Sequence, residues 1–300
     1  MYVITGASGN SGHVVAEKLL AKQKHLRVIG RSADRLQQLT DRGAEAFVCD
    51  VTDKEKLTEA FQGAQAAYLM IPPNAASENF REFQDRISDA MTAAVRDAGV
   101  KYAVVLSSFG ADQSEGTGPV VGLHNLEQKL NQVEGLNALY IRAGYFMENT
   151  LAQIGIIKSI GVAVGPLRAE LELPMIATRD IGDFAADALL DLKFSGKESV
   201  ELHGQRNINM AEVASIVGAA ISRPHLSYKQ LPDAENRRAM LEMGMSKDIV
   251  ELILEMAHAL NSGHMAMLEP RTIKNTTPTS YETFVKEVFA PAFKGKPASA

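Results

Sequence analysis

The sequence predicts an α/β protein built on a doubly wound parallel sheet, with a smaller mixed α/β lobe towards the C-terminus. Three observations carry this prediction. A short apolar run at residues 3–4 leads into glycines spaced G-x-x-G-x-x-G, and an amphipathic helical pattern follows at once. Apolar runs and helical patterns then alternate regularly as far as residue 142. The second half breaks this rhythm, which indicates a separate lobe without internal repeats.

Composition narrows the function classes. The 300 residues are 46% hydrophobic, enough for a full core in one large or two joined domains. A formal net charge of −5 gives no basic footprint for nucleic acid. No segment approaches the ~20 apolar residues of a membrane span, and the N-terminus lacks the pattern of a signal peptide. Cys49 is the only cysteine, which excludes an intrachain disulfide and a cysteine-based metal site. We therefore expect a cytoplasmic protein.

The first loop has the pattern of a dinucleotide-binding turn. Gly6 lets the chain turn off the strand, Gly9 leaves room for a pyrophosphate, and Gly12 lets the next helix, predicted over about 12–22, pack closely. The N–H groups that open this helix favour an anion. The alternative is a glycine-rich turn without a ligand, but strand and helix both flank the loop. Besides the three glycines, the predicted cofactor-binding residues of this loop are Ser8, Asn10 and Ser11.

The end of the second strand, predicted over 26–29, favours NADPH over NADH. An NAD site carries an acidic residue about 20 positions beyond the glycines. Here that place holds Arg31, followed by Ser32 and by Arg35 one turn further on. A guanidinium there can pair with a 2′-phosphate and stack on adenine. The alternative is a solvated surface arginine.

The third and fourth strands, predicted over 46–49 and 66–71, end in further candidates. Asp50, followed by Val51, can receive the adenine amino group or can cap the next helix. Ile71 and Pro72 are predicted cofactor contacts, and Pro72 with Pro73 is expected to form a rigid lip where the cofactor crosses the sheet. Helices are predicted over residues 32–41, 54–61 and 80–97.

Ligands of doubly wound sheets lie beyond the carboxyl ends of the strands. Ser107 and Ser108 end the fifth strand and are predicted cofactor contacts, or ordinary polar strand ends. Four residues after the sixth strand, together with one after the fifth, are predicted to hold a flat apolar substrate, or else to pack the second lobe. These five residues are Phe109, Tyr145, Phe146, Met147 and Asn149.

Residues 116–122 are polar and glycine-rich, which predicts a mobile flap, and a helix is predicted over 124–134. In the second half, Asp180 is expected to cap a helix over 181–192, and Asn209 one through residue 221. A methionine stripe has two interpretations, core packing or a deformable pocket wall over the cofactor. Its members are Met240, Met243, Met245 and Met256. Residues 294–300 are expected to fray.

These motifs resemble the NmrA-like group of atypical short-chain dehydrogenases over nearly the whole chain. The matching segments are T-G-A-S-G-N-S-G at 5–12, G-R-S at 30–32, D-V at 50–51, R-A-G-Y-F-M-E-N at 142–149, T-R-D-I-G-D at 178–183 and T-T-P-T-S-Y at 276–281. The resemblance implies a Rossmann-type fold. It also implies relatedness to NADPH-dependent quinone, azo-dye, triphenylmethane-dye and isoflavone-type reductases, and to regulators that bind NADP(H) without clear turnover.

One departure from the wider group bears on mechanism. Typical short-chain dehydrogenases use a Tyr-x-x-x-Lys pair, and none of the seven tyrosines here has a lysine four residues on. Isoflavone-type relatives keep a lysine on the helix before the sixth strand, and the resemblance places His124 there. Ketone–alcohol chemistry is therefore disfavoured. An imidazole exchanges protons near neutral pH, so His124 is the predicted catalytic residue, or it positions the nicotinamide ribose.

Together these features predict an NADPH-dependent reductase of flat conjugated acceptors such as quinones or azo compounds. A redox sensor that binds NADP(H) without turnover is the alternative, and a nucleotide-sugar epimerase ranks third. The predicted domains are residues 1–150 plus about 180–205 for the cofactor, and 151–179 with 206–300 for the substrate. We expect NADPH without flavin or metal and a small aromatic or quinoid substrate. Neither a nucleic acid nor a membrane is an expected partner, and a homodimer is the oligomer to be considered.

Overall fold

A central sheet organises the fold, and the computed structural model describes residues 1–295. Strands and helices alternate through the first half of the chain. In chain order the strands are β1 (Tyr2–Ile4), β2 (Leu26–Gly30), β3 (Glu45–Val48), β4 (Ala66–Leu69), β5 (Tyr102–Ser108), β6 (Asn137–Ala143), β7 (Tyr145–Phe146), β8 (Ala163–Gly165), β9 (Met175–Ile176), β10 (Lys197–Leu202) and β11 (Tyr228–Gln230). The helices are α1 (Asn10–Ala21), α2 (Gln37–Thr40), α3 (Lys54–Phe61), α4 (Phe80–Asp97), α5 (Val121–Asn131), α6 (Gln153–Ile160), α7 (Thr178–Asp191), α8 (Met210–Ala220), α9 (Asp233–Glu242), α10 (Lys247–Ser262), α11 (Tyr281–Phe284) and α12 (Ala290–Phe293).

Within residues 1–295 the main sheet has seven parallel strands in the order β10-β6-β5-β4-β1-β2-β3. The chain runs outward from β1 through β2 to β3 and then returns to β4 on the other side of β1. The loops after β1 and β4 therefore leave the sheet in opposite directions and open a crevice at its carboxyl edge. This is the Rossmann-like, doubly wound arrangement that the sequence predicts.

Helices cover both faces of the sheet. On one face α1 packs against α7, and a Cβ on Gly182 would lie only 2.7 Å from the backbone oxygen of Ser11, so the two helices approach closely. On the other face α3, α4 and α5 bury Phe61, Met91 and Leu126 against the strands. Two cores thus sandwich the sheet and fix the carboxyl edge that forms the crevice.

A third apolar cluster forms the C-terminal part of the molecule. It joins a 3₁₀ segment, Met147–Ala152, to α8, α10 and α11. Two short parallel pairs, β8 with β11 and β7 with β9, make this part mixed α/β. Strand β10 pairs with β6 at the edge of the main sheet, so this part of the second half returns to the first. The division of the chain into 1–150 plus 180–205 and the remainder stays a prediction.

Three local predictions are wrong. Segment 116–122 is packed rather than free, since Thr117 is buried and a Cβ on Gly118 would lie 2.0 Å from the Leu252 oxygen of α10. Asp180 does not cap α7, which begins two residues earlier; its carboxylate instead accepts the amide and hydroxyl of Thr279. The helix expected over 32–41 is a 3₁₀ turn, Asp34–Leu36, followed by the short α2.

One capping prediction is confirmed, and one prediction lies partly beyond the described chain. The side chain of Asn209 caps α8 by accepting the Glu212 amide at 3.0 Å. Of the tail expected to fray, residues 296–300 fall outside the described residues. In residues 1–295, no helix is both long enough and apolar enough to cross a membrane. The same stretch holds no cluster of three His, Cys, Asp or Glu placed to bind a metal ion.

Candidate functional site

The loop after β1 has the backbone geometry that its glycines predict. Gly6 adopts φ +64°, a left-handed conformation that favours glycine. A Cβ on Gly12 would stand 2.3 Å from the Gly6 oxygen, so the start of α1 rests directly on the turn. The Thr5 hydroxyl donates to the backbone carbonyl oxygen of Tyr68 at 3.0 Å and accepts a hydrogen bond from the Met70 amide at 2.9 Å. These bonds fix the loop against the end of β4, across the crevice.

The N-terminus of α1 is open to an anion. Gly9 is its N-cap residue, no side chain caps the helix, and no acidic residue lies in its first turn. The first amides of a helix have no intrahelical acceptor, so they remain available to a ligand. Ser8, Gly9 and Asn10 are exposed.

Ser11 departs from its predicted role. Its side chain is buried, and its hydroxyl shares a 2.9 Å hydrogen bond with the Tyr68 hydroxyl inside the fold. The prediction that Ser11 contacts the cofactor is therefore wrong for the hydroxyl, and only its amide remains at the helix terminus.

Exposed cations stand beyond β2. Arg31 and Arg35 are solvent-exposed, and neither makes a hydrogen bond or an ion pair with any other residue of the described chain, 1–295. Ser32 between them is half-buried. A planar, uncommitted guanidinium in this place is suited to a phosphate monoester.

Asp50 is oriented by its own turn. Its Oδ1 accepts the Thr52 amide at 2.8 Å and the Thr52 hydroxyl at 2.7 Å. These bonds, chiefly the one from the amide, lower the pKa of Asp50, and nearby Arg31 adds to the shift. The alternative role as a helix cap is wrong, because Asp53 caps α3 by accepting the Lys56 amide.

Residues after β3 and β4 border the crevice more loosely. Val51 and Ile71 are half-buried and pack on the core beneath α3 and α4. Pro72 is half-buried and follows Ile71 in irregular chain, so β4 ends at Leu69, earlier than the predicted residue 71. The lip stays a prediction.

The end of β5 is only partly available to a ligand. Ser107 is buried and donates to the Glu127 carboxylate at 2.5 Å. Glu127, 2% exposed, also accepts two hydrogen bonds from Arg142, at 3.2 and 2.7 Å. The predicted contact between Ser107 and the cofactor is therefore wrong for its hydroxyl. Ser108 is half-buried, and its hydroxyl donates to the Phe109 oxygen at 2.9 Å.

His124 lies in the first turn of α5, half-buried near the end of β5. Its Nδ1 stands 2.8 Å from the Ala111 carbonyl oxygen. A carbonyl only accepts, so Nδ1 carries the proton in this contact and Nε2 of the neutral ring is left as an acceptor. The ring is thus held in one orientation by backbone that follows β5.

A cavity of about 480 Å³ lies between the 3₁₀ segment after β7, β8, β11, α9 and α10. Ligand pockets are usually of this size and mostly apolar. Its lining residues are Tyr145, Glu148, Asn149, Ala152, Gln153, Ile156, Val164, Gly165, Pro166, Leu167, Met210, Tyr228, Leu231, Asn236, Ala239, Met240, Met243, Met245, Ile253, Met256, Ala257 and Leu260. All four members of the predicted methionine stripe line this cavity, which we call the methionine pocket, and Met256 also packs on the C-terminal apolar cluster. The structure therefore supports a pocket wall, and its position over the cofactor stays a prediction.

The predicted substrate residues divide into two groups. Tyr145 and Asn149 line the methionine pocket; burial raises the pKa of Tyr145, and a hydrogen bond from Asn149 opposes this shift. Met147 is 2% exposed inside the C-terminal cluster, and Phe146 packs on the core between the sheet, α1 and α7. Phe109 is also buried, 3% exposed. Met147 is therefore packed in the core, Phe146 is only half-buried, and Phe109 borders a smaller cavity beside α10, so a ligand-facing role for these three residues stays a prediction.

Contacts connect the methionine pocket to the crevice. Glu148 lines the pocket, and its Oε1 accepts the amide and hydroxyl of Thr178 at 3.0 and 2.5 Å, which satisfies the start of α7. Burial raises the pKa of Glu148, against these hydrogen bonds. One helical turn later, about 6 Å along the axis, Gly182 packs on Ser11 of α1. The pocket wall therefore lies close to the N-terminus of α1.

A second connection runs through α10. The Ser246 hydroxyl, which caps α10, donates to the Ser77 oxygen at 2.5 Å, and Asp248 accepts the Phe80 amide at 2.7 Å. Ser77 lies in the segment that joins β4 to α4, and Phe80 is the first residue of α4. The helix that carries Ile253 and Met256 into the pocket is therefore bonded to the chain leaving β4, on the far side of the crevice from α1.

Several pocket residues were missed by sequence reasoning. Tyr228 lies on β11, Asn236 on α9 and Gln153 at the start of α6, and no sequence motif marks any of these three residues. The buried pair of Glu127 with Arg142 was also missed, although an arginine inside an apolar strand could have indicated a buried partner. The sequence signals for this cavity were the methionine stripe and the predicted substrate residues Tyr145 and Asn149.

Comparison with known proteins gives consistent matches over most of the chain. A model of the NmrA-like family matches residues 2–284. An NAD(P)H azoreductase from Xenophilus azovorans is 25% identical over 260 residues, covering 85% of this chain and 86% of the relative. Quinone oxidoreductase 2 of Escherichia coli K12 is 25% identical over 262 residues, covering 85% and 86%. The structure of Citrobacter sp. triphenylmethane reductase complexed with NADP(H) superposes with a TM-score of 0.79 at 19% identity, covering 95% of this chain and 99% of that one.

Proposed function

The chain belongs to the NmrA-like family, and we propose that it is an NADPH-dependent reductase that transfers hydride to a flat, conjugated acceptor such as a quinone or an azo compound. The observation that carries the proposal is the methionine pocket, a largely apolar cavity whose lining residue Glu148 is bonded to the start of α7, the helix that packs on the start of α1. Relatives named azoreductase and quinone oxidoreductase support the same reaction class.

The crevice fits NADPH on its own geometry. A Cβ on Gly9 would meet only the Gly6 oxygen, at 3.3 Å, so the backbone there is open to a pyrophosphate. The uncapped start of α1 supplies amide donors for the same group. Arg31 and Arg35 would bind the 2′-phosphate, and the free Oδ2 side of Asp50 would receive the adenine amino group. Ser8, Asn10 and Ser32 border the same path.

The protein needs to supply at most one proton in this reaction. NADPH supplies a hydride, that is two electrons and one proton, and the reduced acceptor then needs one further proton. The methionine pocket excludes water from the acceptor and holds its plane against Tyr145, with methionine side chains that adapt to its shape. Asn149 lines the same wall as Tyr145 and offers an amide to a polar group of the acceptor.

His124 is the proposed proton-handling or positioning group. Its orientation, set by the Ala111 carbonyl, leaves Nε2 free to accept a hydrogen bond from a ribose hydroxyl or, once protonated, to deliver a proton. A His124→Gln variant separates these roles: loss of kcat that follows pH indicates proton transfer, whereas weaker NADPH binding at every pH indicates positioning.

The proposal is tested by NADPH consumption with the purified protein and a panel of quinones, azo dyes and triphenylmethane dyes, with NADH run in parallel. We expect acceptor-dependent oxidation, faster with NADPH than with NADH. Tight NADPH binding without oxidation by any acceptor would refute the reductase and favour a sensor of the NADP(H) redox state.

A further inference from the structure

We infer that the methionine pocket selects uncharged conjugated acceptors and excludes acceptors that carry an anionic group on the ring to be reduced. The inference rests on the proposed reductase activity, because it concerns the acceptor site of that reaction. It follows from the charges and the hydrogen-bond donors of the wall.

The wall of the pocket offers no counter-charge to an anion. None of its lining residues, all within the described part of the chain, is Lys, Arg or His. The one charged side chain among them is Glu148, whose sign repels an anion. A buried anion without a cationic partner loses its hydration and gains little in return, so it binds poorly.

Three of the five neutral side chains that carry donors in the wall are engaged by backbone oxygens. The amide of Gln153 donates to the Val164 oxygen at 2.9 Å, and its own oxygen accepts the Val164 amide at 3.0 Å. The Tyr228 hydroxyl donates to the Leu167 oxygen at 2.9 Å. The Asn236 amide donates to the Leu231 oxygen at 2.8 Å. An anion entering the pocket therefore meets no cation, and Tyr145 and Asn149 are the only lining side chains with donors that are not bonded to a backbone oxygen.

The remaining surface suits an uncharged ring. Methionine thioethers and aliphatic side chains supply contact without a fixed shape, so the wall can adapt to acceptors of different outline. The pocket is therefore permissive for shape and selective for charge. Met240, half-buried on α9, and Met243, half-exposed at 51% after the end of α9, are the positions where a new cation would alter this selection with least change of size.

The test compares 2-methyl-1,4-naphthoquinone with its 3-sulfonate, in which the charge sits on the quinone ring and must enter with it. Equilibrium dialysis in the presence of NADP⁺ gives the two dissociation constants, and NADPH oxidation gives kcat/KM separately. We expect the neutral quinone to bind about 100-fold more tightly. Met240→Lys should reduce this ratio about 10-fold or more, and the matched uncharged control Met240→Gln should leave the ratio unchanged.

Met243→Lys, nearer the solvent, provides a second variant in case Met240→Lys does not fold, and it should shift the ratio in the same direction. Equal affinities of the wild type for the two quinones would overturn the inference. It would also be overturned if neither quinone bound at a concentration of roughly 1 mM. Charge-selective binding without NADPH oxidation would support the selection and refute the reductase, so the two claims fail separately.

Discussion

Two single-methyl substitutions in the glycine loop separate packing from cofactor binding. In Gly12→Ala the new Cβ would stand 2.3 Å from the Gly6 oxygen and 2.7 Å from the Gly6 carbonyl carbon, both backbone atoms that cannot swing aside. The start of α1 must therefore move away from the turn. In Gly9→Ala the new Cβ would meet only the Gly6 oxygen, at 3.3 Å, and the backbone, at φ −99° and ψ 177°, already suits alanine.

These contacts set different magnitudes. Overpacking of this kind destabilises a fold by about 1–3 kcal/mol, so Gly12→Ala should lower Tm by about 2–5 °C for a chain of 300 residues. Gly9→Ala changes only an uncapped N-cap residue, and its effect on stability should stay below about 1 kcal/mol. Its methyl group nevertheless occupies the space reserved for the pyrophosphate, and NADPH binding should weaken about 10-fold or more.

Differential scanning fluorimetry measures the first effect, and isothermal titration with NADPH measures the second. The reasoning is refuted for Gly12 if the Gly12→Ala variant has the same Tm as the wild type. It is refuted for the cofactor site if Gly9→Ala binds NADPH with unchanged affinity.

Three further predictions follow from the same structure. Arg31→Glu should weaken NADPH about 10-fold or more while leaving NADH nearly unchanged, measured as the ratio of dissociation constants. Glu127→Gln should destabilise the fold by about 3 kcal/mol in urea unfolding, because Arg142 then lacks its counter-charge, and adding Arg142→Met should restore part of the loss. His203 should make stability fall at acidic pH. Burial, and secondarily Arg271, lower the pKa of His203 below its ordinary 6.5, so the unfolded chain takes up the proton first. The contribution of neutral His203 to the free energy of unfolding is then fully present above pH 6.5, and it decreases as the pH falls towards the pKa of the folded state. His203→Gln should flatten this decrease in chemical unfolding series.

Each of these predictions has a contrary result. An unchanged NADPH-to-NADH ratio removes Arg31 from the 2′-phosphate site. Equal stability of Glu127→Gln and wild type means that Arg142 finds another partner or water. If the free energy of unfolding depends on pH in the same way in the wild type and in His203→Gln, other groups govern acid unfolding.

Short-range signals made much of the fold predictable. Helices α3 and α4 were predicted with their observed bounds, since Asp53 and Asn79 at their starts are local capping residues whose side chains accept from the first turn. The glycine loop was equally local: Gly6 adopts a positive φ, and a Cβ on Gly9 or Gly12 would meet the Gly6 oxygen. The parallel, doubly wound sheet followed from the rhythm of strand and helix.

Long-range partners were not predictable from one sequence. Ser107 was expected at the ligand edge but donates to Glu127, twenty residues away, and nothing in the local pattern marks that pair. The polar segment 116–122 was expected to be free, yet α10, more than 120 residues later, covers it. The methionine stripe allowed two interpretations, core packing and a pocket wall. Helical spacing shows which residues share a face of a helix, but it does not show whether that face contacts a core or a cavity.

The central claim, that an acceptor is reduced by NADPH in the methionine pocket, is tested most directly by filling that pocket. Ala239 lines it from α9, which packs on α10, and Ala239→Trp should occupy much of its volume. The measurement pairs NADPH affinity with the rate of NADPH oxidation by 2-methyl-1,4-naphthoquinone, in wild type and variant. We predict that the wild type oxidises NADPH and that the variant binds NADPH normally but turns over about 100-fold more slowly. Turnover at the wild-type rate in a folded Ala239→Trp variant would contradict the account, because the acceptor would then react elsewhere.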